Sequence, residues 1–128
     1  MIPFLSGKDF RGTTIELREI LKKELVEADY KIGIFGIGID GHTAGVLPFS
    51  DAVNSSELVC SYETPTFDRI TITPKVIMDL DEAFLFAMGE NKWPILEKLQ
   101  KEFPIDEYPS QILKRIPLLT IFSDYKKE

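Results

Sequence analysis

Asp40 and His42 stand two residues apart in the string Gly36-Ile37-Gly38-Ile39-Asp40-Gly41-His42-Thr43-Ala44, and His42 is the only histidine among 128 residues. An imidazole titrates near pH 6.5, so a useful fraction is neutral at pH 7 and able to take a proton. A neighbouring carboxylate orients the ring and stabilises its protonated form. Where such a base generates an oxyanion, donors must meet the developing charge. Backbone N–H groups between Gly38 and Thr43 are the candidates, because glycine-rich loops at strand ends offer such groups. Such acid–base chemistry calls for no metal and no redox cofactor. Taken singly, His42 could equally cap a turn, and Asp40-Gly41 is common turn chemistry.

Residues 31–37 must position this pair. They are apolar on both faces rather than alternating, as a central parallel strand covered by helices on both sides requires. The run stops at Asp40-Gly41-His42-Thr43, so the strand delivers polar groups at its carboxyl end, where open α/β sheets bind ligands. Gly36-Ile37-Gly38-Ile39-Asp40-Gly41 also satisfies the G-x-G-x-x-G dinucleotide fingerprint. That fingerprint must open a long helix facing the pyrophosphate, yet Gly45 and Pro48 leave about two turns at most after Gly41. Asp40 would also face the pyrophosphate with like charge.

The remaining elements follow in order. Residues 1–12 carry Pro3, Gly7 and Gly12 without periodicity and read as a loop or short extended segment. Thr13-Thr14-Ile15-Glu16 has the spacing of a capping box, which predicts a helix over 14–28. Leu17, Ile20, Leu21, Leu25 and Ala28 would face a sheet. Strands are predicted over 58–62 and 69–73, the latter alternating, with Ile70 and Ile72 on one face and Arg69, Thr71 and Thr73 on the other. Thr73-Pro74 starts a short helix to about Asp79, and 83–88 is a buried strand closed by Gly89. A helix over 91–102, one or two turns over 110–114 and a buried strand over 118–122 complete the chain, with a solvated tail from Asp124. Trp93 and the phenylalanines at 84, 86 and 122 are expected in the core. Strands alternating with helices give an α/β class: three layers, a mostly parallel sheet and helices on both faces in a Rossmann-like arrangement.

Composition narrows the function. The chain is short enough for one domain with one core, and its 44% hydrophobic and 28% charged residues suit a globular fold. A net charge of -6 with scattered Lys and Arg argues against nucleic acid as partner. No stretch approaches the roughly 20 apolar residues of a membrane span, and the start lacks the long apolar region of a signal peptide. A lone Cys60 cannot form an internal disulfide and, distant from His42, makes a poor metal cluster. It reads as a small buried hydrophobe in a reducing compartment, with the cytoplasm as the default location.

The fuller string GIGIDGHTAGVLP resembles the signature of the 6-phosphogluconolactonases, which stand with the glucosamine-6-phosphate deaminases in one sugar-phosphate superfamily. Further matches keep their order downstream: Arg69-Ile70-Thr71-Ile72-Thr73 resembles the arginine-led strand of these enzymes. Met88-Gly89-Glu90-Asn91-Lys92 resembles their Gly-Glu-x-Lys turn, and Tyr108-Pro109-Ser110-Gln111-Ile112-Leu113 their proline-led segment. The chain departs from the pattern at Gly45, where a serine is common, and at Ile39, where an acidic residue is common. The resemblance implies hydrolysis of 6-phosphogluconolactone to 6-phosphogluconate, a step of the pentose phosphate pathway, with His42 as base and Asp40 beside it. Gly38, Gly41, Thr43, Arg69 and Lys92 would meet the substrate, Lys92 at its phosphate and Arg69 near the sugar.

The resemblance reaches only the carboxyl-terminal half of such enzymes, whose amino-terminal half brings a Ser-Gly-Gly phosphate loop and an Asp-Glu-Arg stretch absent from this sequence. The fold is thus expected to be truncated on that side, with a bare sheet edge and apolar surface covered by a homo-oligomer or a partner chain supplying the missing loop. Two further readings stay open: a non-catalytic sugar-phosphate-binding or structural remnant, and a deaminase-like isomerase acting on an amino sugar phosphate.

Overall fold

The computed structural model describes residues 7–127. Its first element, helix α1 (Phe10–Glu27), starts earlier than the capping-box spacing suggests. Asp9 is the N-cap and accepts a hydrogen bond from the Gly12 N–H at 2.7 Å. A carboxylate caps more strongly than a threonine, so Thr13 and Thr14 are drawn inside the helix, where both are buried. Their hydroxyls bond back to the Lys8 and Phe10 carbonyls, and Glu16 pairs with Lys8 instead of closing a capping box. The expectation of a loop through Gly12 fails accordingly at Phe10–Gly12; its part on residues 1–6 lies outside the described residues.

Strand β1 (Ile32–Phe35) leads to the Asp40–His42 loop. Strands β2 (Val59–Glu63) and β3 (Asp68–Ile72) form an antiparallel hairpin of their own. Helix α2 (Pro74–Met78), strand β4 (Glu82–Ala87), helix α3 (Trp93–Leu99), the 3-10 segment Pro109–Arg115 and strand β5 (Leu118–Ser123) follow. The helix expected over 91–102 is split: a 3-10 turn at Glu90–Lys92 precedes α3, with Pro94 in the first turn where its missing N–H is harmless.

The main sheet is entirely parallel in the order β1-β4-β5, which confirms the α/β class. One face is the core. Phe35, Ala83, Leu85 and Ala87 point inward against Ile77, Ile95, Leu96, Leu99, Ile112 and Leu113 from α2, α3 and the Pro109–Arg115 segment. Full burial of such side chains contributes about 1.5–3 kcal/mol each. A second, smaller cluster of Val46, Ala52, Val53 and Tyr62 lies under the loop after the site and against the hairpin, and Ile105 packs on both clusters. The core is therefore in two parts rather than one.

The opposite face differs from the expected burial. Ile34 is 76% exposed, and Ile32, Phe86 and Phe122 are exposed as well; Phe122 stacks on Phe86 at 4.9 Å and on Phe84 at 6.3 Å. Strand β1 is an edge and β5 is mostly exposed, so continuous apolarity in Ile32–Phe35 and Leu118–Phe122 marks a face that these described residues leave uncovered. Phe86 and Phe122 are not core residues, and Phe84 and Trp93 are half-buried. Helix α1 packs on β2 and β3 instead of the parallel sheet, held by the Arg18 guanidinium donating to the Val59 carbonyl at 2.9 Å. Its apolar stripe stays half-buried, and Ala28 is exposed.

Two smaller expectations also change. Along β3 and the residue after it the threonines are the more buried side, with Thr71 and Thr73 inside and the isoleucines half-buried: the Thr71 hydroxyl serves the loop described below, and the Thr73 hydroxyl donates to the Glu57 carbonyl. The carboxyl-terminal tail is docked as well as solvated: Asp124 accepts from the Gly89 N–H and from Trp93 Nε1, and Tyr125 packs edge-on against Trp93. Cys60 is half-buried, and burial pushes its thiol above its ordinary value. Among the described residues no helix is long and apolar enough to cross a membrane.

Candidate active site

The chain leaves β1 at Phe35 and turns without starting a helix; turns and one short bridge, Thr43 to Val46, occupy the stretch after Gly41. The Gly38 N–H donates to the His42 carbonyl and the Gly41 N–H to the Gly38 carbonyl, both at 2.9 Å. Gly41 sits at φ +91°, a left-handed conformation that favours glycine, and this reverses the chain between Asp40 and His42. The reversal brings Asp40 Oδ1 to 3.0 Å from the His42 backbone N–H and 2.5 Å from Nδ1 of its ring. A carboxylate oxygen so close requires the proton on Nδ1, which leaves Nε2 as the acceptor nitrogen of the neutral ring.

Burial pushes the Asp40 carboxyl up, but the His42 N–H, the His42 ring and its charge outweigh this and hold Asp40 below its ordinary value of 3.8. Asp40 is therefore a carboxylate at neutral pH.

Neighbouring elements fix the loop from several sides. The Thr43 hydroxyl, fully buried, donates to the Gly36 carbonyl at 2.9 Å. From the hairpin, Thr71 Oγ1 accepts from the Gly45 N–H and the Tyr62 hydroxyl donates to the Gly45 carbonyl. The Ser110 N–H donates to the Gly41 carbonyl at 2.9 Å. Ala44 takes φ +51°, an uncommon conformation outside glycine, beside this clamped turn.

His42, Gly38 and Lys92 line one open hollow of about 310 Å³ together with Gly36, Ile37 and Ala44. Lys92 donates to the Ile37 carbonyl at 2.5 Å, which anchors its ammonium group at the wall of the hollow. Of the other residues singled out from sequence, Asp40 stands behind the imidazole, and Gly41 and Thr43 are buried supports of the turn. Arg69 is not in the lining: it pairs with Tyr62 in the hairpin, and its guanidinium lies 6.0 Å from the Phe67 ring centre.

Of the N–H groups between Gly38 and Thr43 expected as oxyanion donors, those of Gly38, Gly41 and His42 are spent within the loop. Tyr62 carries no functional signal in the sequence, whereas Gly36, Ala44, Thr71 and Tyr108 stand inside the segments that resemble the family, with no role attached to any of them. A roomier hollow of about 570 Å³ lies between α3 and the tail, lined by Trp93, Glu97, Lys101 and Tyr125 among others. Glu97 is occupied there by the Tyr125 hydroxyl, and no acid–base pair like Asp40–His42 faces it. Among the described residues no three His, Cys, Asp or Glu side chains converge to hold a metal ion.

Residues 8–119 match the family model of the glucosamine-6-phosphate isomerases/6-phosphogluconolactonase. The chain belongs to this family. It is 32% identical over 103 residues to the 6-phosphogluconolactonase of Borreliella burgdorferi, covering 74% of this chain and 43% of that protein. Against a 6-phosphogluconolactonase of Chlamydia pneumoniae the identity is 26%, over 83% of this chain and 44% of the relative. The crystal structure of the Shewanella baltica 6-phosphogluconolactonase superposes with a TM-score of 0.74 at 20% identity, over 93% of this chain and 53% of that one. A monomeric glucosamine-6-phosphate deaminase gives 0.70 at 17%, over 93% and 54%. The family chain in hand thus spans about half the length of the relatives it matches, and the structural likenesses establish the fold.

Proposed function

We propose that the chain carries the acid–base half of a 6-phosphogluconolactonase, hydrolysing 6-phosphogluconolactone to 6-phosphogluconate in the cytoplasmic pentose phosphate pathway. The observation that carries this reading is the Asp40–His42 contact at 2.5 Å, with His42 opening on the same hollow as the Lys92 ammonium. His42 Nε2 takes a proton from water, and the water oxygen bonds to the lactone carbonyl carbon. The ring C–O bond then breaks, and the departing oxygen takes the proton back from the imidazolium. Asp40, ionised throughout, offsets the charge on the ring. Lys92 supplies a fixed positive charge for the anionic part of a sugar phosphate, and with the Gly38, Gly41 and His42 N–H groups engaged it is also a charged donor within reach of the hollow. Arg69 takes the sugar only if the substrate extends past the hollow toward β3, and Gly38, Gly41 and Thr43 shape the turn against which it sits.

The test is a comparison of substrates. Incubated with 6-phosphogluconolactone, the chain is expected to release acid faster than spontaneous opening; with glucosamine 6-phosphate it is expected to release no ammonia. Ammonia release would favour a deaminase-like isomerase, and neither product would favour a non-catalytic remnant.

The bare face of the parallel sheet supports an associated state, because purely parallel sheets are normally covered on both sides. We take the surface bearing Ile32, Ile34, Phe86 and Phe122, with the edge of β1 that is unpaired among the described residues, as the contact for a second copy or for a chain supplying a phosphate loop. Sedimentation is expected to show a dimer or larger assembly that Phe86→Asp with Phe122→Asp dissociates while leaving the circular dichroism spectrum unchanged. A monodisperse monomer, unaltered by these substitutions, would count against it.

A further inference from the structure

Gly41 is buried, and a side chain there would meet Tyr108: a Cβ would lie 2.6 Å from Tyr108 Cδ1 and 3.2 Å from its Cα and Cβ. The aromatic ring is thus seated directly against the residue that separates Asp40 from His42. Tyr108 is itself held from three sides. The Lys98 ammonium of α3 donates to its hydroxyl at 2.5 Å and stands 4.6 Å from its ring centre. Phe103 packs edge-on at 5.0 Å, and the Tyr108 N–H donates to the Pro104 carbonyl at 3.0 Å. Two residues on, the Ser110 N–H donates to the Gly41 carbonyl. The turn carrying the acid–base pair therefore rests on a wall built by the segment before β5.

We propose that Tyr108 is a positioning residue: its ring is the wedge that fixes the Gly41 reversal and so keeps the Asp40 carboxylate in register with both N–H groups of His42. The ring performs this role and the hydroxyl does not, because the contact with Gly41 is made by ring and backbone carbons. Removing the wall lets the Gly38–Gly41 turn relax into the space, and misplacement of a catalytic group by about 1 Å costs on the order of a hundredfold in rate. The kinetic arm of this inference rests on the lactonase reading; the spectroscopic arm does not.

The test compares Tyr108→Phe, Tyr108→Leu and Tyr108→Ala, using lactone hydrolysis and the ¹³C titration of the Asp40 carboxyl. Tyr108→Phe keeps the ring and is expected to stay within about threefold of the unsubstituted chain in kcat, with Asp40 still titrating low. Tyr108→Ala is expected to lower kcat at least about tenfold with a smaller change in KM. It should also move the Asp40 titration upward toward 3.8, because the His42 donors that hold it down drift out of alignment. Tyr108→Leu fills much of the volume and serves if the alanine variant unfolds; it is expected to fall between the two. A folded Tyr108→Ala or Tyr108→Leu chain with kcat and Asp40 titration unchanged overturns the proposal. So does a Tyr108→Phe chain as impaired as Tyr108→Ala, which would place the function in the Lys98 contact. If the unsubstituted chain hydrolyses no lactone, the lactonase reading fails while the Asp40 titration still decides the wedge.

Discussion

Gly38→Ala is expected to abolish turnover in a chain that still folds. A Cβ at this position would overlap Nδ1 and Cε1 of the His42 ring and press to 2.6 Å from Asp40 Oδ1. The backbone at Gly38 has no positive φ, so alanine is tolerated conformationally and the whole effect falls on the acid–base pair. The imidazole cannot keep both its place and its partner, because the loop around it is clamped by Thr43, Thr71, Tyr62 and Ser110. Forcing a methyl into such a packed site costs about 1–3 kcal/mol, a drop in melting temperature of several degrees. Losing an aligned general base costs about 10²–10⁴ in rate. Lactone hydrolysis and a thermal melt on the same sample separate the two: a cooperative melt lowered by several degrees with rate lost is the expected pair. Full turnover in Gly38→Ala would mean that the ring works from some other position.

Asp40→Asn is expected to lower kcat about a hundredfold. A buried aspartate holding a catalytic histidine is worth about 10⁴ when its amide replaces it, because the amide favours the wrong tautomer and carries no charge. Asp40 is 49% exposed and its charge is screened by solvent, so the smaller figure applies. The same substitution has a pH signature in stability. The folded chain holds Asp40 below its ordinary 3.8, so the carboxylate contributes stability that is present above that value and lost as pH falls through the lower, folded value. Unfolding midpoints of the native and asparagine chains are expected to differ at pH 6 and to converge toward pH 2. A constant difference across that range would show that the carboxylate gains nothing from His42.

The site was legible in the sequence where short-range chemistry decides it. Gly38, Asp40, Gly41, His42 and Thr43 lie within one turn, and such spacing leaves few ways to arrange them. The presence of Lys92 at the same hollow came only through likeness to known enzymes, since a lysine 50 residues away carries no local signal. Tyr62 reaches the loop through a tertiary contact that no period or motif announces, and the family-like segments holding Thr71 and Tyr108 do not say what either side chain touches. The fold class was readable from the alternation of strands and helices. Strand burial is not legible in the same way, because an apolar strand looks the same in sequence whether helices cover both its faces or one. Ile32–Phe35 and Leu118–Phe122 have the composition of covered strands, and among the described residues the second cover is missing. Helix α1 began at Phe10 because the Asp9 carboxylate outcompeted the Thr13 hydroxyl for free backbone donors, a contest between two plausible caps.

The most direct measurement is the rate of 6-phosphogluconolactone opening, corrected for the spontaneous reaction, in the native chain and in His42→Ala at equal concentration. The imidazole held by Asp40 at an open hollow should give the native chain a clear excess over the spontaneous rate, and His42→Ala should fall back to it. Equal rates from the two chains would contradict the assignment of His42 as the base.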